Sequence, residues 1–448
     1  MKKRTTGVVF ALLGVLLLIL ACAPAASPNG EEPVPTPEAE PVIIGLFAPL
    51  MTHLGERQLE GAELAVDQIN AAGGISVGGV GRPIKLVVED SNEISSVPDA
   101  VAAIERLQSR NRPQMVCGCI KSEAAFAVMD RTAADKTILL TVGTGAMELP
   151  VRVKEDYETY KYWFRVMPIN SLELAMSLVP FVNYGGEILR EALGLEPDAT
   201  LKVAVVVEKG EAGEHMYQLL HASLPKLGME EVGAWRPAGD ATDLSGECSA
   251  IAASGAQMIA GWFYGPAGLP FAKTWAELEV PAAYFGTNAA AQSNDYWDAT
   301  LGRGNYMTSS HAWFARTEIT PKTIPFWDAY LEKTEGTFPA HVSATYDAIY
   351  IYKDAAEMAD SFDPDVIVST MEENEFVGAM GKFKWHGMDT DYPHDLTVAP
   401  GYAFPIGIQW VDGEHRCVWP YEFMGVTYEG TKKVEIAPWV IDYWKGKL

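Results

Sequence analysis

The chain has 448 residues, of which 48% are hydrophobic and 10% aromatic, a composition that builds packed cores rather than disorder. Its 34 basic and 59 acidic residues leave a formal net charge of −25. That balance argues against nucleic acid as a partner, because such binding runs on neutralising phosphates with Lys and Arg.

Lys2, Lys3 and Arg4 open the chain, Val8–Leu20 is an almost unbroken apolar run, and Ile19-Leu20-Ala21-Cys22 closes it. A basic start, a short apolar core and a small residue before the cleavage point are the order of a secretory signal. The run falls short of the roughly 20 apolar residues that a membrane span needs. The closing cysteine resembles a bacterial lipobox, so residues 1–22 are expected to be a lipoprotein signal peptide with Cys22 as the lipidated residue. The alternative is an ordinary signal peptide cut elsewhere, with Cys22 discarded. Residues 23–40, APAASPNGEEPVPTPEAE, favour an extended solvated chain and read as a flexible linker. The folded part is expected from Pro41, and its length implies two domains.

From there strand and helix alternate. Val42–Phe47 reads as a strand, then a helix from about Gly55 with Leu59, Ala62, Val66 and Ile69 on one stripe, ended by Gly73-Gly74. Ile84–Glu89 is a strand, Asp99–Gln108 a helix, and Met115–Ile120 a strand. A helix after Ser122 and a strand over Ile138–Val142 follow. A second series begins near Leu201. Its strands are predicted over Lys202–Val207, Glu231–Trp235, Met258–Phe263, Ala282–Phe285 and Asn305–Ser310. Helices are predicted around Glu214–Lys226, Leu244–Ser254 and Gly268–Glu277, then Thr323–Glu335 and Val342–Ala359. The tail from Val377 reads as strands and loops. Strand–helix units of this length imply parallel sheets wrapped by helices.

Cys117 and Cys119 flank one residue of a predicted strand, so both should point to one face as buried free thiols. A Cys248–Cys417 disulfide is compatible with an oxidising compartment, though their spacing does not call for one. Cys-x-Cys without a second ligand pair is weak evidence for a metal, and neither metal nor cofactor is implied. The sequence holds no His-Glu-x-x-His and no Gly-x-x-x-x-Gly-Lys loop.

The segment GERQLEGAELAVDQINAAGGI at Gly55–Ile75, followed by GRPIKLVVED at Gly81–Asp90, resembles the opening of type I periplasmic solute-binding proteins, nearest their branched-chain amino acid and amide branch. Phe164-Arg165-Val166-Met167-Pro168 resembles that family's first crossing between lobes, and Thr345-Tyr346-Asp347-Ala348 a late helix. The resemblance implies an α/β fold of two doubly wound parallel-sheet lobes joined by a three-stranded hinge. Lobe 1 would take residues 41–167 and 313–380, and lobe 2 residues 168–312 and 381–448. It also implies a ligand held between the lobes at the carboxyl ends of strands, and closure by a hinge.

Carried over residue by residue, the resemblance points to Ser122 at a helix start as a carboxylate site that can also cap its own helix. It points to Gly143, Thr144 and Gly145 as a loop offering N–H groups and one hydroxyl, with glycine at 145 where a threonine is usual. His53 and Leu54 follow the first strand, where the family covers its ligand. In the second lobe Tyr264 and Trp262 end a strand and would stack on the ligand, although aromatic clusters are as often core. Asn288 stands where amino acid binders carry a carboxylate for the ligand's ammonium, and Ala212 replaces an aromatic that closes the cleft. An amide cannot supply a full negative charge, so an amide or carboxylic acid is expected more than an amino acid.

The expected role is that of an extracytoplasmic, lipid-anchored, monomeric binding protein handing a small solute to an ABC transporter permease. A sensory lipoprotein reporting to a separate receptor and an enzyme on the same fold are the competing readings.

Overall fold

The computed structural model describes residues 39–447. The signal-like segment, Cys22 and nearly all of the linker lie outside the described residues.

The first sheet contains β1 (Val42–Ala48), β2 (Ile84–Asp90), β3 (Met115–Gly118), β4 (Ile138–Val142) and β5 (Trp163–Met167), all parallel, in the order β2-β1-β3-β4-β5. Its central strands are apolar throughout because helices cover both faces. These helices are α1 (His53–Ala71), α2 (Val97–Asn111) and α3 (Ser122–Ala134). The second sheet contains β6 (Leu201–Val207), β7 (Met229–Trp235), β8 (Met258–Phe263) and β9 (Ala283–Asn288), parallel in the order β9-β8-β6-β7. Both orders reverse beside their first strand, and that reversal opens a crevice at the strands' carboxyl ends. The two strand–helix series therefore fold into two parallel-sheet lobes.

A long helix, α4 (Ser171–Leu193), joins the lobes and was not anticipated from the sequence. Pro180 lies inside it and Gly185-Gly186 follow. An internal proline costs about 3 kcal/mol of helix stability, so local propensity argues against this element. Tertiary burial decides otherwise: Leu178, Phe181, Val182 and Leu189 are buried in the second-lobe core, and Gly185 lets the Phe285 ring approach its backbone.

The chain then returns to lobe one through α8 (Thr323–Lys333), α9 (Thr345–Ala359) and α10 (Pro364–Glu373), numbering α5 to α7 as Glu211–Ser223, Ser245–Ser254 and Gly268–Glu277. Residues 381–403, expected with the second lobe, instead supply Phe383, Trp385, Leu396 and Ala403 to the first-lobe core. Phe404 and Ile406 begin the segment packed in the second.

The tail adds an antiparallel sheet of β10 (Thr308–Ala312), β11 (Ile406–Val411) and β12 (Glu414–Trp419) beside β9. It ends in a further unanticipated helix, α11 (Pro438–Lys445). Trp439 and Trp444 tie that region down by donating to the carbonyls of Val280 and Pro281 at 3.1 and 2.6 Å.

Cys117, Cys119, Cys248 and Cys417 are all free and buried. The two neighbours do not share a face. The strand stops at Gly118, and Cys119, at φ +69°, packs in a different cluster from Cys117.

Candidate functional site

On the first lobe the crevice lies between the loops that follow β1 and β3. Ser122 is the first residue of α3, and the cap position before it belongs to Lys121. Its hydroxyl does not cap the helix; it lies 2.9 Å from Thr144 Oγ1. The turn before it is held from behind by a buried carboxylate. Glu93 accepts from the backbone N–H groups of Ile120 and Lys121 at 3.1 and 2.9 Å and from Cys119 Sγ at 3.3 Å. Burial pushes the Glu93 carboxyl above its ordinary range.

Gly143 was expected to offer its N–H to a ligand. That N–H instead donates to the Met167 carbonyl at 2.6 Å, because β4 still pairs with the end of β5 at this point. Gly143 has φ +134°, and a Cβ there would lie 2.8 Å from Ile120 Cα, so glycine is needed for backbone shape rather than for contact. The available donors shift one step along, to the N–H groups of Thr144 and Gly145, which have no protein partner among the described residues. The carbonyls of Thr144 and Ala146 accept from the two Nη atoms of Arg165 at 2.5 and 2.6 Å, so this loop is fixed by a buried guanidinium. The Gly145 carbonyl accepts from Ser171 N–H at 3.0 Å, which seats the loop against the start of α4.

On the second lobe a cavity of about 450 Å³ opens beside the β6–β8 reversal. Leu172, Met176, Met216, Trp262, Tyr264 and His311 line it, with Ser171 and Ala212 at its wall. Trp262 and Tyr264 have ring centroids 5.0 Å apart, and Tyr264 is 47% exposed, so the pair stands as a cavity wall rather than as core. The small Ala212 leaves room where a larger side chain would fill it. Ser122 and Thr144 do not line this cavity; Ser171, bonded to Gly145, is the link between the two walls.

Asn288 is not part of that wall. It pairs with Phe263 across the β8–β9 ladder, and Phe263 faces away from Trp262 and Tyr264. Its side chain turns towards α7, where Nδ2 donates to the Gly268 carbonyl at 2.9 Å. Thr287, paired with Trp262, faces the cavity side instead, with Oγ1 3.1 Å from His311 Nδ1 and 2.9 Å from Ser310 Oγ. The position expected to meet a ligand amine is thus one residue out of phase.

His53 is exposed at the first turn of α1, and Leu54 is half-buried beside it. The imidazole it influences is His341, which burial first and His53 second bring down to about 4. Neither His53 nor Leu54 joins the cavity lining.

His311, Thr287, Glu93 and Ser171 were missed by sequence reading. None belongs to a motif. Thr287 alone had a readable signal, since the aromatic at Trp262 and the strand alternation would have selected it over Asn288 once the register was known.

A model of the periplasmic binding protein family matches residues 42–400. An amino acid binding protein of Pseudomonas aeruginosa is 25% identical over 352 residues, 77% of this chain and 86% of its own. A second protein of that organism, named for binding leucine, isoleucine, valine, threonine and alanine, is 23% identical over 359 residues, 75% of this chain and 84% of its own. Among solved structures, one from Silicibacter pomeroyi assigned to a branched-chain amino acid ABC transporter superposes with a TM-score of 0.73 at 22% identity. It covers 89% of this chain and 100% of its own.

Proposed function

The chain belongs to the periplasmic binding protein family, and from that premise we propose that it is the substrate-binding protein of an ABC importer, anchored through a lipid on Cys22. Family membership implies an extracytoplasmic site of action and a role in binding solute rather than in catalysis. Among the described residues no helix is long and apolar enough to cross a membrane.

The solute in this reading is a small molecule with an apolar body and an oxygen-bearing end. The oxygen end meets the Ser122 and Thr144 hydroxyls and the free N–H groups of Thr144 and Gly145. The apolar body rests against Trp262, Tyr264 and the methionines of the second-lobe cavity. The observation that carries the ligand class is that no carboxylate lines the cavity among the described residues. An α-amino acid would bury its ammonium there unpaired, at a cost on the order of several kcal/mol. The expectation of an amide or carboxylic acid therefore rests on the cavity lining and no longer on Asn288. A ligand touching both walls stabilises the closed arrangement of the lobes, the form in which a permease would receive it.

Mass spectrometry of the denatured, purified protein identifies what it carries, and small-angle scattering with and without that compound follows closure. An oxygen-bearing apolar compound and a smaller radius of gyration in its presence are expected. A bound compound that leaves the radius unchanged would remove the capture mechanism.

A further inference from the structure

His311 is 2% exposed on β10 and lines the second-lobe cavity. Its two ring nitrogens differ. Nδ1 lies 3.1 Å from Thr287 Oγ1, which lies 2.9 Å from Ser310 Oγ. Nε2 is buried and has no hydrogen-bond partner. The Leu174 carbonyl lies close enough to pull the ring's basicity upward against burial, but it makes no hydrogen bond to Nε2 and already accepts from Ser177 Oγ–H at 2.7 Å.

The direction of the proton chain follows from the hydroxyls. Among the described residues Ser310 Oγ has no other bonded partner than Thr287 Oγ1. If Ser310 donates to Thr287 and Thr287 donates to Nδ1, every hydroxyl proton in the chain is used. If Nδ1 carried the proton, Thr287 would donate to Ser310, and the buried Ser310 O–H would lack an acceptor. That arrangement leaves two buried groups unpaired, the Ser310 O–H and the Nε2 lone pair, whereas hydrogen on Nε2 leaves only one, which selects the tautomer with hydrogen on Nε2. Burial brings the ring down to about 3, so the group is a neutral donor rather than a cation.

We propose that His311 is a ligand-binding residue whose Nε2–H donates to a second acceptor oxygen at the apolar end of the solute, making the substrate class apolar acids or amides with acceptor oxygens at both ends. The assignment rests on the solute-binding reading above and adds the far-end acceptor to it. An acceptor there satisfies the buried side-chain nitrogen that stands unpartnered in the cavity lining, whereas a donor such as an ammonium would face another donor.

Calorimetric titration of the full chain with terephthalate, benzoate and L-leucine tests it. Terephthalate has an acceptor at each end of its ring, and benzoate lacks the second. At least tenfold tighter binding of terephthalate than benzoate is expected. His311→Phe should abolish that preference, and His311→Gln, which keeps an N–H donor, should restore part of it. Should His311→Phe fail to fold, the His311→Gln and Thr287→Val variants carry the comparison, with Thr287→Val expected to weaken the terephthalate preference by releasing the tautomer. Equal binding of terephthalate and benzoate, a preference that survives His311→Phe, failure of both acids to bind, or tight binding of L-leucine alone would each overturn the assignment. L-leucine binding with compaction would leave the solute-binding role standing; that role falls only if the purified protein neither carries nor binds any small molecule.

Discussion

The Arg165 guanidinium and the Asp395 carboxylate meet at 2.6 Å with neither side chain exposed to solvent. The pair ties four segments together. Arg165 also holds the Thr144 and Ala146 carbonyls, and Asp395 also accepts from Asn170 Nδ2 at 3.1 Å, at the cap of α4. The loop that offers donors to a ligand and the crossing into the second lobe thus hang on one buried ion pair. Removing one partner of such a pair strands the other as an unpaired buried charge. Arg165→Met is expected to cost about 3–5 kcal/mol in urea unfolding. Arg165→Met with Asp395→Asn should cost less than the sum of the two single changes, because the stranded charge is gone. Additive costs would show that the two side chains are not energetically coupled.

Glu173 reports on the same region through pH. Burial first, and then the charge of Asp395, raise its carboxyl from an ordinary 4.5 to about 7, against the opposing pull of Arg165 and Asn170. The folded state therefore holds a proton that the unfolded chain has released between pH 4.5 and 7. Its contribution to stability is full below about 4.5 and is lost as pH rises through 7. Glu173→Gln should flatten that fall. The difference in melting temperature between variant and wild type, read by calorimetry from pH 4.5 to 8, should grow in the variant's favour with pH. A difference independent of pH would refute the assignment.

Asn288→Asp separates the two accounts of the second-lobe wall. Were Asn288 a cleft residue, the change would create a partner for an ammonium group. The observed side chain faces the Gly268 carbonyl, so a carboxylate there meets an acceptor and replaces the Nδ2 donor. Loss of about 1–3 kcal/mol of stability is expected, with no gain in affinity for L-leucine. Newly acquired leucine binding by titration would restore Asn288 to the site.

Ser122→Ala and Thr144→Val remove the two first-lobe hydroxyls, whose side-chain partners are chiefly each other. Each should weaken binding of the co-purified solute about three- to tenfold, the usual size of a lost neutral hydrogen bond, with small changes in unfolding midpoint. Unchanged affinity in both variants would move the oxygen-binding end of the site elsewhere.

Cys22→Ser tests the anchor. Wild-type protein expressed in a bacterial host is expected in the detergent phase of a partition assay, and the variant in the aqueous phase. Equal partition of both would remove the lipid from the proposed function.

The alternation of strands and helices is legible in the amino acids alone, since apolar runs, capping residues and glycine stops act within a few residues of where they stand. Met258–Phe263 and Gly268–Glu277 coincide with the predicted elements, and most others shift by one to three residues at their ends. From that alternation two parallel-sheet lobes follow, and with them the strand ends at which Ser122, Thr144, Trp262 and Tyr264 sit. Tertiary structure decided what depends on partners remote in sequence. Pro180 hides α4 from any local reading, and burial of its apolar face against the second-lobe core restores it. Arg165 and Asp395 are 230 residues apart, so nothing near either one announces the other. Whether Thr287 or Asn288 faces the cavity turns on which of them pairs with Trp262, because neighbours on a strand point to opposite faces and only the ladder fixes which face is which.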